Sequence, residues 1–463
     1  MPSAGMPRRA PSGHGRGCRL RALAWAAAPA LVPQIAGALP PQSARQSGQL
    51  DGVWYWDLPP TPNGLVPRIS YSGAASAPDG SIYVAGMDHA TNSALYGLGT
   101  AGSTAGDPAP TLAYLGDARA ASEVAGNYLE GEGIEKFHTH PIWYNGRVYV
   151  ANLNHSDLDA GYLNKRGFHW YAYDKAAGTF ADLSASEPNG VGALHGGIVS
   201  IVLDATRAMI YGAELPTGNL YRYDIARKTT TLLGRPAYGR PYVYAGRALW
   251  LDRKGRVYFS AGNERASNGA PYDPAIFNHV HYYDPATGRF GERTGWKLHT
   301  QHAIDAAQCF EAPRVCYLAD NLGTVYRFLD PDPATGKLGW RRIGSIGQST
   351  TATHGTSWVF HVDPARAFAY LMTRYGSMFV MQLSDGRIVR QLDFRSVEPG
   401  FADWQFYGHN AWDKFGRFYF AAFKPLASKS PGVRLVAIDP ARFLAAAVAP
   451  KSSPLRGTAH GRP

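Results

Sequence analysis

One pattern of apolar and aromatic positions recurs along the chain, each time after a polar turn. It reads GSIYVAG from Gly80, GRVYVAN from Gly146, AMIYGAE from Ala208, GRVYFSA from Gly255, RVCYLAD from Arg314, AFAYLMT from Ala367 and GRFYFAA from Gly416. Short runs rich in Val, Tyr and Phe, bounded by Gly or Asp, predict strands. A second recurring run ends in an Asp turn: WYAYDKAAG from Trp170, LYRYDIARK from Leu220, HYYDPATG from His281, YRFLDPDPATG from Tyr326 and LVAIDPARF from Leu435. The two runs alternate with a period of roughly 45 to 55 residues, the spacing of a propeller blade.

Seven second strands predict seven blades, over residues 69–117, 136–185, 194–236, 242–294, 301–346, 351–394 and 404–443. The expected fold is all-β, a seven-bladed β-propeller over residues 39–450. The aromatic, alternating segment DGVWYWDL, residues 51–58, is expected to pair with the last blade, closing the ring and covering its edges. A sandwich fits less well, because its strands would recur at shorter intervals.

Composition agrees with a large β domain. Among 463 residues, 52 Gly and 33 Pro supply turns, and 45% hydrophobic content with 12% aromatics is enough to bury a core. The N-terminus reads as an export signal over residues 1–38: five arginines (8, 9, 16, 19 and 21) precede an apolar stretch that ends in the small residues Ala36-Gly37-Ala38. That stretch is broken by Pro29 and Pro33 and is too short for a bilayer span, so a secreted or periplasmic protein without membrane association is expected. Residues 451–463, basic and rich in Pro, Ser and Gly, are expected to form a disordered tail.

The formal charge is +11, and five of these charges belong to the leader arginines. The remaining excess suits an anionic substrate, and no basic-aromatic motif points to nucleic acid. Of the three cysteines, Cys18 lies in the leader, whereas Cys309 and Cys316 flank a hairpin turn and are expected to pair as a disulfide.

Function is expected at the channel. Neighbouring strands of a blade run antiparallel, so the start of each first strand and the end of each second strand share one rim. That rule gathers His89, His138, His140, His155, His195, Glu214, Tyr242, Glu264, Arg265, His302, Asn321, His354, Arg374, Tyr407, His409 and Lys424. Such a set can ligate a transition metal through neutral imidazoles. Alternatively it can take a proton from a carbon acid while cations neutralise the adjoining carboxylate. For the second chemistry His140, His155, His195, Tyr242 and Tyr244 are candidates for proton transfer, and Arg240, Arg265, Arg374 and Lys424 for neutralisation. Trp143, Trp170, Tyr171 and Trp404 are candidates for stacking on sugar faces.

FHTHP from Phe137, GRVYVANLNHSD with His155, RPYVY from Arg240 and HGTSW from His354 resemble the seven-bladed propeller polysaccharide lyases, the ulvan lyase type first and the oligogalacturonate lyases more distantly. The resemblance implies β-elimination on a uronic-acid-containing anionic polysaccharide. By position it implies His140, His155, Tyr242 and Arg265 as the catalytic set; the remaining rim residues His195, Tyr244, Arg240, Arg374 and Lys424 are expected to bind substrate. It further implies a divalent metal (Zn, Mn or Ca) on His302, His354 and His409. The residues themselves leave two other readings open: a metal-dependent, four-histidine oxygenase or hydrolase, and a non-catalytic carbohydrate-binding propeller. They name neither the polysaccharide nor the oligomeric state.

Overall fold

The repeated turns explain how so regular a set of strands forms. In Asp-x-x-Gly-Arg-x-Tyr, found at Asp252–Tyr258 and Asp413–Tyr419, one carboxylate organises the whole hairpin. Asp413 Oδ1 accepts from the backbone N–H of Phe415 and Arg417, while Oδ2 accepts from Arg417 Nε at 2.6 Å and Tyr419 Oη at 3.0 Å. Asp252 does the same toward Lys254, Arg256 and Tyr258. The glycine is required by backbone geometry, with φ of 77° at Gly255 and 84° at Gly416. The later turns use Asp174, Asp224 and Asp284, whose side chains cap the N–H groups two or three residues on.

In a computed structural model of the protein, the residues described are 42–43, 45–46, 51–154, 164–215, 217–236, 244–245, 247–262, 279–298, 303–311, 314–320, 322–330, 335, 339–347 and 358–446. The export-signal segment, residues 1–38, and the tail, residues 451–463, lie outside them.

Each predicted second strand is present: Ile82–Met87, Arg147–Leu153, Met209–Leu215, Val257–Gly262, Arg314–Asp320, Phe368–Met372 and Phe418–Phe423. Each lies in an antiparallel meander. Gly197–Asp204, Met209–Leu215, Leu220–Asp224 and Thr229–Gly234 make one four-stranded sheet, and Ile304–Glu311, Arg314–Asp320, Thr324–Leu329 and Gly339–Ser345 make another. The largest sheet has nine strands, because Val359–Val362 and Gln405–His409 run parallel and join two meanders. At its far side Val53–Asp57 pairs antiparallel with Val433–Ile438, Tyr55 opposite Val436. The predicted partner of DGVWYWDL is therefore found.

Successive sheets pack face to face, so the core is a series of clusters. Trp250 and Tyr258 from one sheet meet Cys316, Tyr326 and Phe328 from the next. Trp54, Trp56 and Tyr419 meet Ile82, Val84 and Tyr96, which brings the two ends of the described chain together. Arg417, fully buried, ties the same junction by donating to Thr104 O and Ser103 Oγ, each at 3.0 Å. Cys309 and Cys316 face each other across the hairpin and form the expected disulfide. Among the described residues no helix is long and apolar enough to cross a membrane.

Candidate functional site

Inner strands from widely separated parts of the chain line a cavity of about 580 Å³. The lining comes from Ala74 to Pro78, His140 to Trp143, Ile201 to Leu203, Arg247 to Leu251, residues of Ile304–Glu311 that include Asp305 and Cys309, and His409 with Asn410. Of the residues expected at the strand ends, His140 and His409 border this cavity.

Two imidazoles form the polar floor. His140 Nε2 and His409 Nδ1 lie 2.8 Å apart, with ring centroids separated by 4.7 Å. His140 stacks on Tyr407 at 5.9 Å, which fixes the plane of its ring. Gly408, between Tyr407 and His409, allows close packing, since a Cβ there would lie 2.7 Å from Phe420 Cβ. Tyr71 packs against the same group, its ring 5.8 Å from His138, 6.0 Å from Trp358 and 6.2 Å from Tyr407. His138 turns away from the cavity and bonds through Nδ1 to Val199 O at 3.1 Å.

Burial holds these rings neutral. It lowers the pKa of His140 to about 4 and that of His361 to about 3, the latter helped by His140. His138 and His409 are also pushed well below the usual imidazole value, first by burial and then by neighbouring positive groups that include Arg247. A neutral pair shares one proton: one nitrogen donates and the other accepts. His140 Nδ1 and His409 Nε2 are buried without hydrogen-bond partners. Arg247 and the buried carboxylate of Asp305 line the same cavity, so a cation, a carboxylate and an imidazole pair surround one space.

The other candidates fall elsewhere. His195 Nδ1 is bonded to Lys165 O at 2.8 Å. Arg374 lies over Trp358 at 4.4 Å and donates from Nε to Gln405 Oε1 at 2.8 Å. Lys424 lies 3.7 Å from Asp403 and over the ring of Trp404. His195, Arg374 and Lys424 thus flank strand ends opposite the hairpins, whereas His140 and His409 face the cavity. Tyr244 is placed through its backbone, paired with Gly262. His155, Arg240, Tyr242, Arg265, His302 and His354 lie outside the described residues.

Among the described residues no group of three or more His, Cys, Asp or Glu side chains is arranged to hold a metal ion. His409, expected as a metal ligand, instead faces His140. Of the stacking candidates, Trp170, Tyr171 and Trp404 are core residues, and Trp143 lines the cavity while stacking on Tyr83 at 6.0 Å.

Arg247, Asp305 and His361 were not singled out from the sequence. Each lies within or just before a first strand, and Asp305 stands three positions after the candidate His302 and Arg247 five after Tyr242, so the neighbourhood of those candidates is the signal that marks them.

No family model and no curated protein matches the chain. Among solved structures the chain is similar to the β-propeller domain of Cps50 (Swd1) from Myceliophteria thermophila, with a TM-score of 0.51 and 10% identity over 86% of this chain and 100% of that one. At such identity the likeness concerns fold: the protein is an all-β chain of the β-propeller class.

Proposed function

We propose that the protein is an exported, seven-bladed propeller, closed by Val53–Asp57, that cleaves an anionic polysaccharide by β-elimination at a uronate. The observation that carries this reading is the His140–His409 pair facing a cavity that Arg247 also lines. The Cys309–Cys316 disulfide supports an oxidising compartment, as does the basic and apolar leader. The pairing of Val53–Asp57 with Val433–Ile438 supports closure of the ring.

In this reading Arg247 neutralises the sugar carboxylate and so acidifies the C5 proton. His140 takes that proton, the C5–H electron pair becomes the C4–C5 double bond, and the C4–O bond breaks. The leaving oxygen is protonated by a group on the same cavity wall or by water. A bound carboxylate also raises the affinity of the imidazole pair for a proton, countering the burial that lowers it. His155, Tyr242 and Arg265 remain part of the proposal as the further acid, base and cation that the resemblance implies.

A second reading, a carbohydrate-binding propeller without catalysis, is favoured by the same depressed imidazole pKa values, which make the empty site a weak base. Incubating the protein with a panel of acidic polysaccharides and following ultraviolet absorbance separates the two. A rise from an unsaturated uronate supports the lyase. Saturable binding with no rise supports the binding module.

A further inference from the structure

His409 and Asn410 are consecutive residues, yet both line the cavity that Arg247 borders. In an extended strand successive side chains point to opposite faces, so one of the two should turn away. The backbone explains why neither does: the strand Gln405–His409 stops at His409, and Asn410 lies in the left-handed region with a φ of 61°. Asparagine is one of the few residues besides glycine that visits this region readily, and such outliers gather where a site needs a particular side chain in place.

The carboxamide is held as well. Asn410 Nδ2 donates to the carbonyl oxygen of Ala307, which lies on Ile304–Glu311, a strand of another meander, and lines the same cavity. A carbonyl accepts only from a donor, so this bond settles which way round the amide lies. Asn410 Oδ1 takes no hydrogen bond from the described residues, and the residue is exposed. An amide oxygen accepts and cannot donate.

We propose that Asn410 selects the sugar: its carboxamide oxygen accepts from a free ring hydroxyl of the uronate bound at this cavity, so a ring carrying an O-acyl or O-sulfate ester at that position is refused. The inference rests on the uronate reading given above. Arg247 offers donors to a carboxylate, whereas Asn410 Oδ1 offers an acceptor that a hydroxyl can use and a carboxylate cannot. Esterification removes the donor and sets oxygen against oxygen. Sites that hydrogen-bond a substrate hydroxyl discriminate strongly against analogues lacking it.

The test is calorimetric binding of oligosaccharides of polygalacturonate, alginate and hyaluronate, each with free and with O-acetylated ring hydroxyls, to the full chain and to Asn410→Gly. Glycine adopts a positive φ without steric cost, so the variant loses the amide and keeps the backbone. The parent is expected to bind a free oligosaccharide about tenfold more tightly than its O-acetylated form, and Asn410→Gly to lose most of that ratio. Equal binding of the two forms by the parent would overturn the selection. So would a ratio that persists in Asn410→Gly, even if both forms bind more weakly, because a structural role for the amide weakens both alike; the uronate reading would then stand without it. Binding of none of the three polymers by the parent would overturn that reading and the selection with it. Selective binding without unsaturated product would end the lyase and leave the selection in place.

Discussion

His140 Nε2 and His409 Nδ1 meet at 2.8 Å although 269 positions separate them in the chain. Strand ends from opposite parts of the sequence bring them together, and packing around Tyr407 and Tyr71 fixes both. Removing one ring leaves the other buried and without its partner, the costly half of a hydrogen bond to lose. His409→Ala is therefore expected to destabilise the protein by about 1–3 kcal/mol, measured by urea unfolding.

The buried imidazoles predict an acid limb in stability. His138, His140, His361 and His409 all have folded pKa values below the unfolded one. As pH falls through about 6.5 the unfolded chain gains protons that the folded chain refuses, so stability drops progressively toward about pH 4. Tm followed across that range should fall, and His361→Phe, which removes one such group, should flatten the slope. An unchanged slope would mean that these rings are solvated.

His169 predicts the opposite sign. It is fully buried between Glu132 and Asp182, each at 3.0 Å. Burial lowers its pKa, but the two carboxylates outweigh it and the net shift is upward. Its contribution is complete below the unfolded imidazole pKa and is lost as pH rises through the elevated folded value. The Tm difference between the parent and His169→Gln should therefore be larger near pH 6 than near about pH 9.

Arg417 predicts a large single-site effect. The chain is buried, paired with Asp413 at 2.6 Å and bonded to the loop at Ser103 and Thr104. Arg417→Met leaves a buried carboxylate uncompensated and should cost about 3–5 kcal/mol in denaturant unfolding. A loss below about 1 kcal/mol would place the ion pair in water rather than in the junction.

Lys228 predicts a gain. It occupies a left-handed turn with φ 54°, the position held by Gly178 at 66° and Gly288 at 67° in the equivalent turns. Lys228→Gly relieves strain of about 1–2 kcal/mol against a smaller entropic penalty, so Tm should rise by a few degrees. A fall in Tm would show that the lysine side chain contributes more than its backbone costs.

The strands were legible in sequence because one turn motif recurs and specifies both its own geometry and the strands beside it. Asp252, Gly255, Arg256 and Tyr258 are readable as a unit, and the same unit returns at Asp413. The disulfide was legible for the same reason, since a hairpin turn sets Cys309 opposite Cys316. The site was legible only in part. His140 and His409 were named, but period-two alternation placed His138 and His140 alike, whereas Tyr71 and Val199 hold His138 away from the cavity. Arg247 is not legible because which part of a strand borders a cavity depends on how the sheets pack around it, and no local pattern reports that.

The most direct test of the channel's role is the rate at which unsaturated uronate appears from an acidic polysaccharide, compared between the parent protein and Arg247→Met with the fold verified by circular dichroism. The cavity geometry predicts turnover by the parent and a loss of about 10²–10³-fold when the cation beside the imidazole pair is removed. Equal rates in the two proteins, or no product from any uronate polymer with the parent, would contradict it.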